Sequence, residues 1–309
     1  MSAPARQPAH TPYEGSSKPF TIGLKPLALA DWIEVDENLF AHLAEKRRLY
    51  AEMPEKVFVE EQETRAAQQE VLDMLTAHLP ERFPRTHAVA GDGVAVRNLP
   101  PGQALTLDAP LVAASLLVQE DLILMRRGED GWRLAAGSLC FPSSWTLTEK
   151  FGKTLHTIHI PVPGFGPGSR PDELIARMFD GLQGQAMERF NWSIQAGDAL
   201  YHPLSNVQRD DRATGRPSRF ADEGEINASA FIRVERQTLR KLPVSRDVLF
   251  TIRIHLDPLA VLARHPDKAR LAASFAAQLT ALDTAQLDYK GLTADRDRLV
   301  DWLQAAAAA

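Results

Sequence analysis

Three strand-like runs in the second half of the chain, at residues 187–194, 228–239 and 248–256, most constrain the fold. Each is rich in β-branched and aromatic residues, and the last two are joined only by the short turn around Lys241-Leu242-Pro243. Upstream, 121–127 and 132–140 flank Gly128-Glu129-Asp130-Gly131, a good hairpin connection, and the apolar run 111–118 reads as a further strand ending at Gln119-Glu120. Helical spacing dominates on either side. Trp32, Leu39, Leu43, Val71, Leu72, Leu75 and Leu79 recur at three- and four-residue steps before the strands, and Leu271, Phe275, Leu279 and Leu282 share a face after them. The order helices, strands, helices predicts an α+β domain whose antiparallel sheet is flanked by N-terminal and C-terminal helices.

Between the sheet segments the chain offers a short helix at 146–153, a strand at 154–162 closed by Pro163-Gly164, and a crossover helix opened by Ser169, Pro171 and Asp172. Asp257-Pro258 reads as a helix N-cap with proline at the first helical position, and Thr293 as the cap of a last helix. Residues 1–18 read as a disordered lead-in without the apolar core of a signal peptide, which predicts a cytoplasmic protein. The polar stretch 206–225 reads as a lid, a docking loop or plain disorder.

Composition removes several function classes. A formal charge of −5 gives none of the basic excess that nucleic acid or an anionic membrane would select. No apolar run reaches the roughly 18 to 20 residues of a membrane span. Cys140 is the only cysteine, so the chain alone builds no disulfide, no four-cysteine zinc site and no iron–sulfur cluster. No G-x-G-x-x-G follows a strand to mark a flavin or NAD site. Redox chemistry would need electrons from outside.

Several polar residues then stand out against the strand pattern. On a strand at 154–162, alternation sets His159 opposite Ile158, Ile160 and Val162, where a neutral imidazole is available as an iron ligand; the alternative is a hydrogen-bonded structural histidine. His156 falls on the other face, so the two do not chelate together. In 230–243, Arg233, Glu235 and Gln237 alternate with Val234, Arg236 and Thr238, and either arginine suits an anionic ligand or a cross-strand Arg–Glu pair. Arg253 is a lone charge in an apolar strand and calls for an anionic partner, Glu235 or a ligand carboxylate. Arg189-Phe190-Asn191-Trp192, and Ser144-Trp145 with Glu149, Lys150 and Lys153, are pocket candidates, against the alternative of packed element ends. His202 is a second ligand candidate.

The set Gln119-Glu120-Asp121-Leu122, Cys140-Phe141-Pro142-Ser143-Ser144-Trp145, Glu149-Lys150, Ile158-His159-Ile160-Pro161-Val162-Pro163-Gly164, Asn191-Trp192-Ser193, RVERQTLRKLP at 233–243 and Phe250-Thr251-Ile252-Arg253 resembles the α subunit of the haem-dependent oxidative N-demethylase family. The resemblance runs from about Pro19 to Leu259, with RVERQTLRKLP its most specific part. It implies a PAS-like haem-binding domain over 19–257 followed by a helical extension over 258–309. It also implies b-type haem and O2-dependent removal of a methyl group from a small secondary amine such as dimethylamine, with formaldehyde released. Separate reductase subunits carrying flavin and an iron–sulfur cluster would supply the electrons. Carried onto this sequence, His159 is the axial ligand, Glu235 and Arg236 are the catalytic candidates, and Arg233, Arg253, Lys150, Asn191 and Trp192 contact the cofactor. A non-catalytic haem/gas or small-molecule sensor on the same PAS-like scaffold is the alternative, because a fold alone does not fix a reaction.

Overall fold

The alternation of the long strand runs is realised in a wholly antiparallel seven-stranded sheet. The computed structural model describes residues 7–15, 18–100, 107–166, 168–205, 208, 218–220 and 222–308. In chain order, β1 (Lys25–Leu27) is followed by α1 (Leu39–Glu52), α2 (Pro54–Val57), β2 (Phe58–Glu60) and α3 (Arg65–Arg82). A separate hairpin, β3 (His87–Ala90) and β4 (Gly93–Val96), precedes α4 (Pro110–Ser115), β5 (Asp121–Gly128) and β6 (Gly131–Ser138). Three short helices, α5 (Leu147–Lys150), α6 (Leu155–His159) and α7 (Arg170–Gly181), lead to β7 (Ala186–Ala196). Then come α8 (Glu223–Ser229), β8 (Ala230–Lys241), β9 (Val248–Pro258), α9 (Lys268–Thr280), α10 (Thr284–Lys290) and α11 (Arg296–Ala308).

The sheet order is β1-β7-β8-β9-β5-β6-β2, so α5 to α7 carry the chain from one side of the sheet to the other. The β5–β6 hairpin closes as its glycines require: Gly128 pairs with Gly131, whose φ of +108° suits only a residue without Cβ. The rear face of the sheet carries two apolar layers. On one half, Val71, Leu75 and Leu79 of α3 and Leu111 of α4 pack on Leu122, Leu124 and Leu249. On the other, Leu271, Phe275 and Leu279 of α9 and Trp302 and Leu303 of α11 pack on Trp192, Ile232 and Val234. Each such side chain contributes about 1.5–3 kcal/mol by leaving water.

Between these layers lies a belt of charge. Arg236 and Arg253 are direct cross-strand partners. Both are buried and aim at the segment after Leu29–Asp31, a short 3-10 helix. Arg253 pairs with Asp36 at 2.6 Å, not with Glu235 as the strand pattern allowed, because Glu235 points to the opposite face. Arg236 donates to the carbonyls of Asp31 (2.6 Å) and Trp32 (3.2 Å) and lies 3.3 Å from Glu34 and 3.1 Å from Glu188.

Some local expectations are overturned. Residues 111–115 belong to a helix, α4, started by Pro110 at its first position, with Leu111, Val112, Ala114 and Ser115 buried, and 116–118 follow as a turn and bend; a short apolar run carries no period to separate helix from strand. Gln119-Glu120 is no exposed turn: both side chains are buried and bolt down the 34–36 segment, the Gln119 amide oxygen accepting from Asp36 N (3.0 Å) and Glu120 from Glu34 N (2.9 Å). Residues 154–162 contain a helix and not a strand: the Thr154 hydroxyl accepts from Thr157 N and caps α6. Asp257-Pro258 ends β9, and a 3-10 helix at Leu259–Arg264 follows without a side-chain cap. The last helix starts at Arg296, not behind Thr293. Of the lead-in, residues 1–6 and 16–17 lie outside the described residues, whereas Tyr13 is fully buried and stacks on Phe275. Most of 206–225 lies outside them too, but Ser218, Arg219 and Phe220 are docked, the first two on the buried carboxylate of Asp295.

Lys46, on α1, is completely buried and donates to the carbonyls of Ser115 (3.0 Å), Val118 (3.0 Å) and Glu120 (2.5 Å). Its ammonium thus satisfies the carbonyls that the end of α4 leaves open. Lys46→Met is expected to destabilise the protein by about 3 kcal/mol, because buried carbonyls would lose their donor. The denaturant midpoint, at unchanged slope, reads this directly.

Candidate functional site

Odd-numbered positions of β8 face the front of the sheet, and there the helices stand off. Residues α5 to α7 and the segment around Phe20, Ile22 and Leu24 close over this face and leave a cavity. Its empty space, counted out to the solvent at its mouth, is about 1680 Å³. The sheet supplies an apolar floor from Ile123, Met125, Leu134, Leu239, Phe250 and Ile252. Leu155 and Ile158, three residues apart on α6, and Val162 in the turn after it also line the cavity, so the short helix covers an apolar surface.

The polar lining is strongly biased in sign. Lys150, Arg189, Arg219 and Lys290 face a single carboxylate, Glu235, among the described residues that line the cavity. Arg219 is committed to Asp295 at 3.0 Å, and Lys150 lies over the Trp145 ring at 4.2 Å. Glu235 accepts from Gln237 Nε2 (2.7 Å) and, at 3.4 Å, from Asn191. Lys290 reaches in from the end of α10, donating to the Trp192 carbonyl (2.5 Å) and Asn191 Oδ1 (3.3 Å). Burial pushes its ammonium down to about 8, against the opposing pull of Glu235. Burial likewise lowers Arg189, whose Nε has no hydrogen-bond partner.

His159 also lines the cavity, on α6. Its Nδ1 is buried without a partner. Desolvation, followed by the nearby Lys150 charge, lowers its pKa to about 4, so the ring is neutral at neutral pH with a nitrogen available. His202 lines the same cavity and forms a parallel bridge with Ser143.

Arg233 is not in the lining. Completely buried behind it, the guanidinium donates to the carbonyls of Phe141 (2.7 Å), Pro142 (3.2 Å) and Leu200 (3.2 Å) and to Gln195 Oε1 (3.2 Å). It ties together the two loops that carry Ser143, Trp145 and His202. Asp121 holds the first of these loops from the other side, accepting from the backbone N–H of Cys140 (2.8 Å) and Phe141 (2.9 Å).

The fold therefore brings His159, Lys150, Asn191 and Glu235 to one cavity and sets Arg233 behind its wall. Arg236, Arg253 and Trp192 lie on the rear face; Trp192 donates to Gln278 Oε1 at 2.9 Å among the C-terminal helices. Sequence reasoning missed Lys290, which sits in a helical tail with no local mark of function. Arg189 was visible only as part of a polar–aromatic cluster.

An apolar cavity with a cationic rim and the neutral His159 imidazole suits a flat, acid-bearing ligand. The chain belongs to the family described as haem-dependent oxidative N-demethylase, alpha subunit-like, which it matches over residues 23–300. The match continues well past Leu259 into α11, so the helices that deliver Lys290 are part of the family unit. The description as an alpha subunit implies a multi-subunit assembly. No helix among the described residues is long and apolar enough to cross a membrane.

The Lys290 charge should be felt by any anionic occupant. Binding of an apolar anion such as anilinonaphthalene sulfonate is expected to weaken several-fold as pH rises through about 8 and the ammonium discharges. Lys290→Met is expected to weaken binding at pH 7 and remove that step, as fluorescence titrations at successive pH values would report.

Proposed function

We propose that the cavity holds b-type haem in a PAS-like core and that the chain carries out oxidative N-demethylation of a small secondary amine. With dimethylamine, the reaction takes up O2, two electrons and two protons and yields methylamine, formaldehyde and water. The observation that carries this reading is the unpartnered, neutral His159 nitrogen inside a cavity of a haem-dependent family. The residues present fit the group: His159 would offer a nitrogen to the iron, the apolar floor would accept a macrocycle, and Arg189 and Lys290 would offer cations to its carboxylates. On this reading residues 19–257 form the haem-binding domain and 258–309 a helical extension that completes its pocket.

When bound, haem supplies the O2-dependent oxidation of the N-methyl group. The chain's own residues do the rest. Glu235, the one carboxylate in the described lining, holds the substrate ammonium and takes up its proton, steadied by the Gln237 amide. Ile123, Ile158 and Phe250 keep water from the methyl group. With Cys140 buried and its thiol pushed up by desolvation, the chain holds no redox pair of its own, in line with reductase subunits that bring flavin and an iron–sulfur cluster. Such an assembly would work in the cytoplasm.

Haem-free chain titrated with hemin is expected to develop a Soret band at one equivalent. His159→Ala is expected to shift that band or weaken binding at least about ten-fold. Absence of any Soret band overturns the haem reading, and an unchanged spectrum in the variant moves the ligand to His202. Formaldehyde assays with dimethylamine and a reductant separate the enzyme from a sensor, which would bind haem and gas but release none.

A further inference from the structure

We propose that His10, Glu34 and His255 form a binding site for a divalent transition-metal ion, with Zn2+ as the probe, on the rear face of the sheet. The donors come from three distant parts of the chain: the N-terminal segment, the loop after the first 3-10 helix, and β9. One ligand atom from each lies within 4.8 Å of the others. His10 Nε2 is 3.0 and 3.1 Å from the two Glu34 oxygens, and His255 Nε2 is 3.1 Å from Glu34 Oε2. Ligands at about 2.0–2.2 Å from a tetrahedral zinc stand roughly 3.4 Å apart. The triad is thus close to a coordinating arrangement, and a small approach of the two imidazoles completes it.

The chemistry of the donor set fits. Two imidazoles and one carboxylate form the set that first-row metals share, and it leaves a fourth position for water. Ring packing fixes the imidazoles: His10 lies against Phe190 at 4.7 Å between centroids and meets His255 edge-on at 4.9 Å. The side chains of His10 and Glu34 are 25% and 29% exposed and that of His255 only 6%, so an ion reaches the carboxylate from solvent and finds one ligand fixed in the sheet. The opposing feature is Arg236, 3.3 Å from Glu34 Oε1. Its charge is already shared with Glu188 at 3.1 Å and with the Asp31 and Trp32 carbonyls, and the neighbouring Arg253 is held by Asp36. Glu34 Oε2, away from Arg236, is the oxygen left to the metal. The site is independent of the cavity on the front face.

The test uses the tag-free full chain, stripped with a chelator and titrated calorimetrically with Zn2+. One equivalent is expected to bind and to raise the thermal midpoint. His10→Ala, a change at a partly exposed ring, is expected to leave the circular dichroism spectrum intact while lowering affinity at least about ten-fold and removing the thermal shift. His255→Gln should behave alike, and Glu235→Gln, on the front face, should bind Zn2+ as the natural chain does. Failure of the natural chain to bind a stoichiometric ion, or equal affinity in His10→Ala, overturns the proposal and leaves the triad a hydrogen-bonded staple.

Discussion

The structure turns on two arginines set side by side. Arg236 and Arg253 occupy directly opposed positions on neighbouring strands, where like charges repel, and both are buried between the two helical layers of the rear face. Such a pair survives only if anions and carbonyls are delivered to it, and residues 31–36 do so: two backbone carbonyls, Glu34 and Asp36. That segment is in turn fixed by the buried side chains of Gln119 and Glu120. A stretch without a long helix or strand of its own thereby becomes the keystone between α3, the sheet and the N-terminal residues.

With the rear face settled, the front face is left free for a ligand. Alternation along β8 sends Glu235 and Gln237 forward and Arg236 and Thr238 back, so one strand serves both a cavity and a structural charge belt. The sign of the cavity follows from the same economy. Its cations are contributed by β7, by the α5 region, by the segment 218–220 and by the tail, and only one carboxylate answers them among the described lining.

Much of this was legible in the sequence, and the failures are physical. The β7, β8 and β9 strands and the β5–β6 hairpin follow from period-two patterning and paired glycines, which local sequence encodes. The face of Glu235 relative to Arg236 followed too. The segment 154–162 misled because Thr, Ile and Val alternate there as in a strand, while a Thr154 cap and an apolar surface to cover select a short helix. His159 reaches the cavity all the same, from a helix, so the residue was legible and its backbone was not. The partner of Arg253 was misplaced because Asp36 is 217 residues away in sequence. Lys290 was invisible for the same reason: its acceptors on β7 lie nearly a hundred residues upstream.

Arg233 has a mechanical meaning beyond its hydrogen bonds. Because one guanidinium grips the carbonyls of both the 141–142 and the 200 loops, those loops share a hinge post and cannot part independently. Any widening of the cavity on that side therefore strains both loops at once and carries Trp145 and His202 outward together.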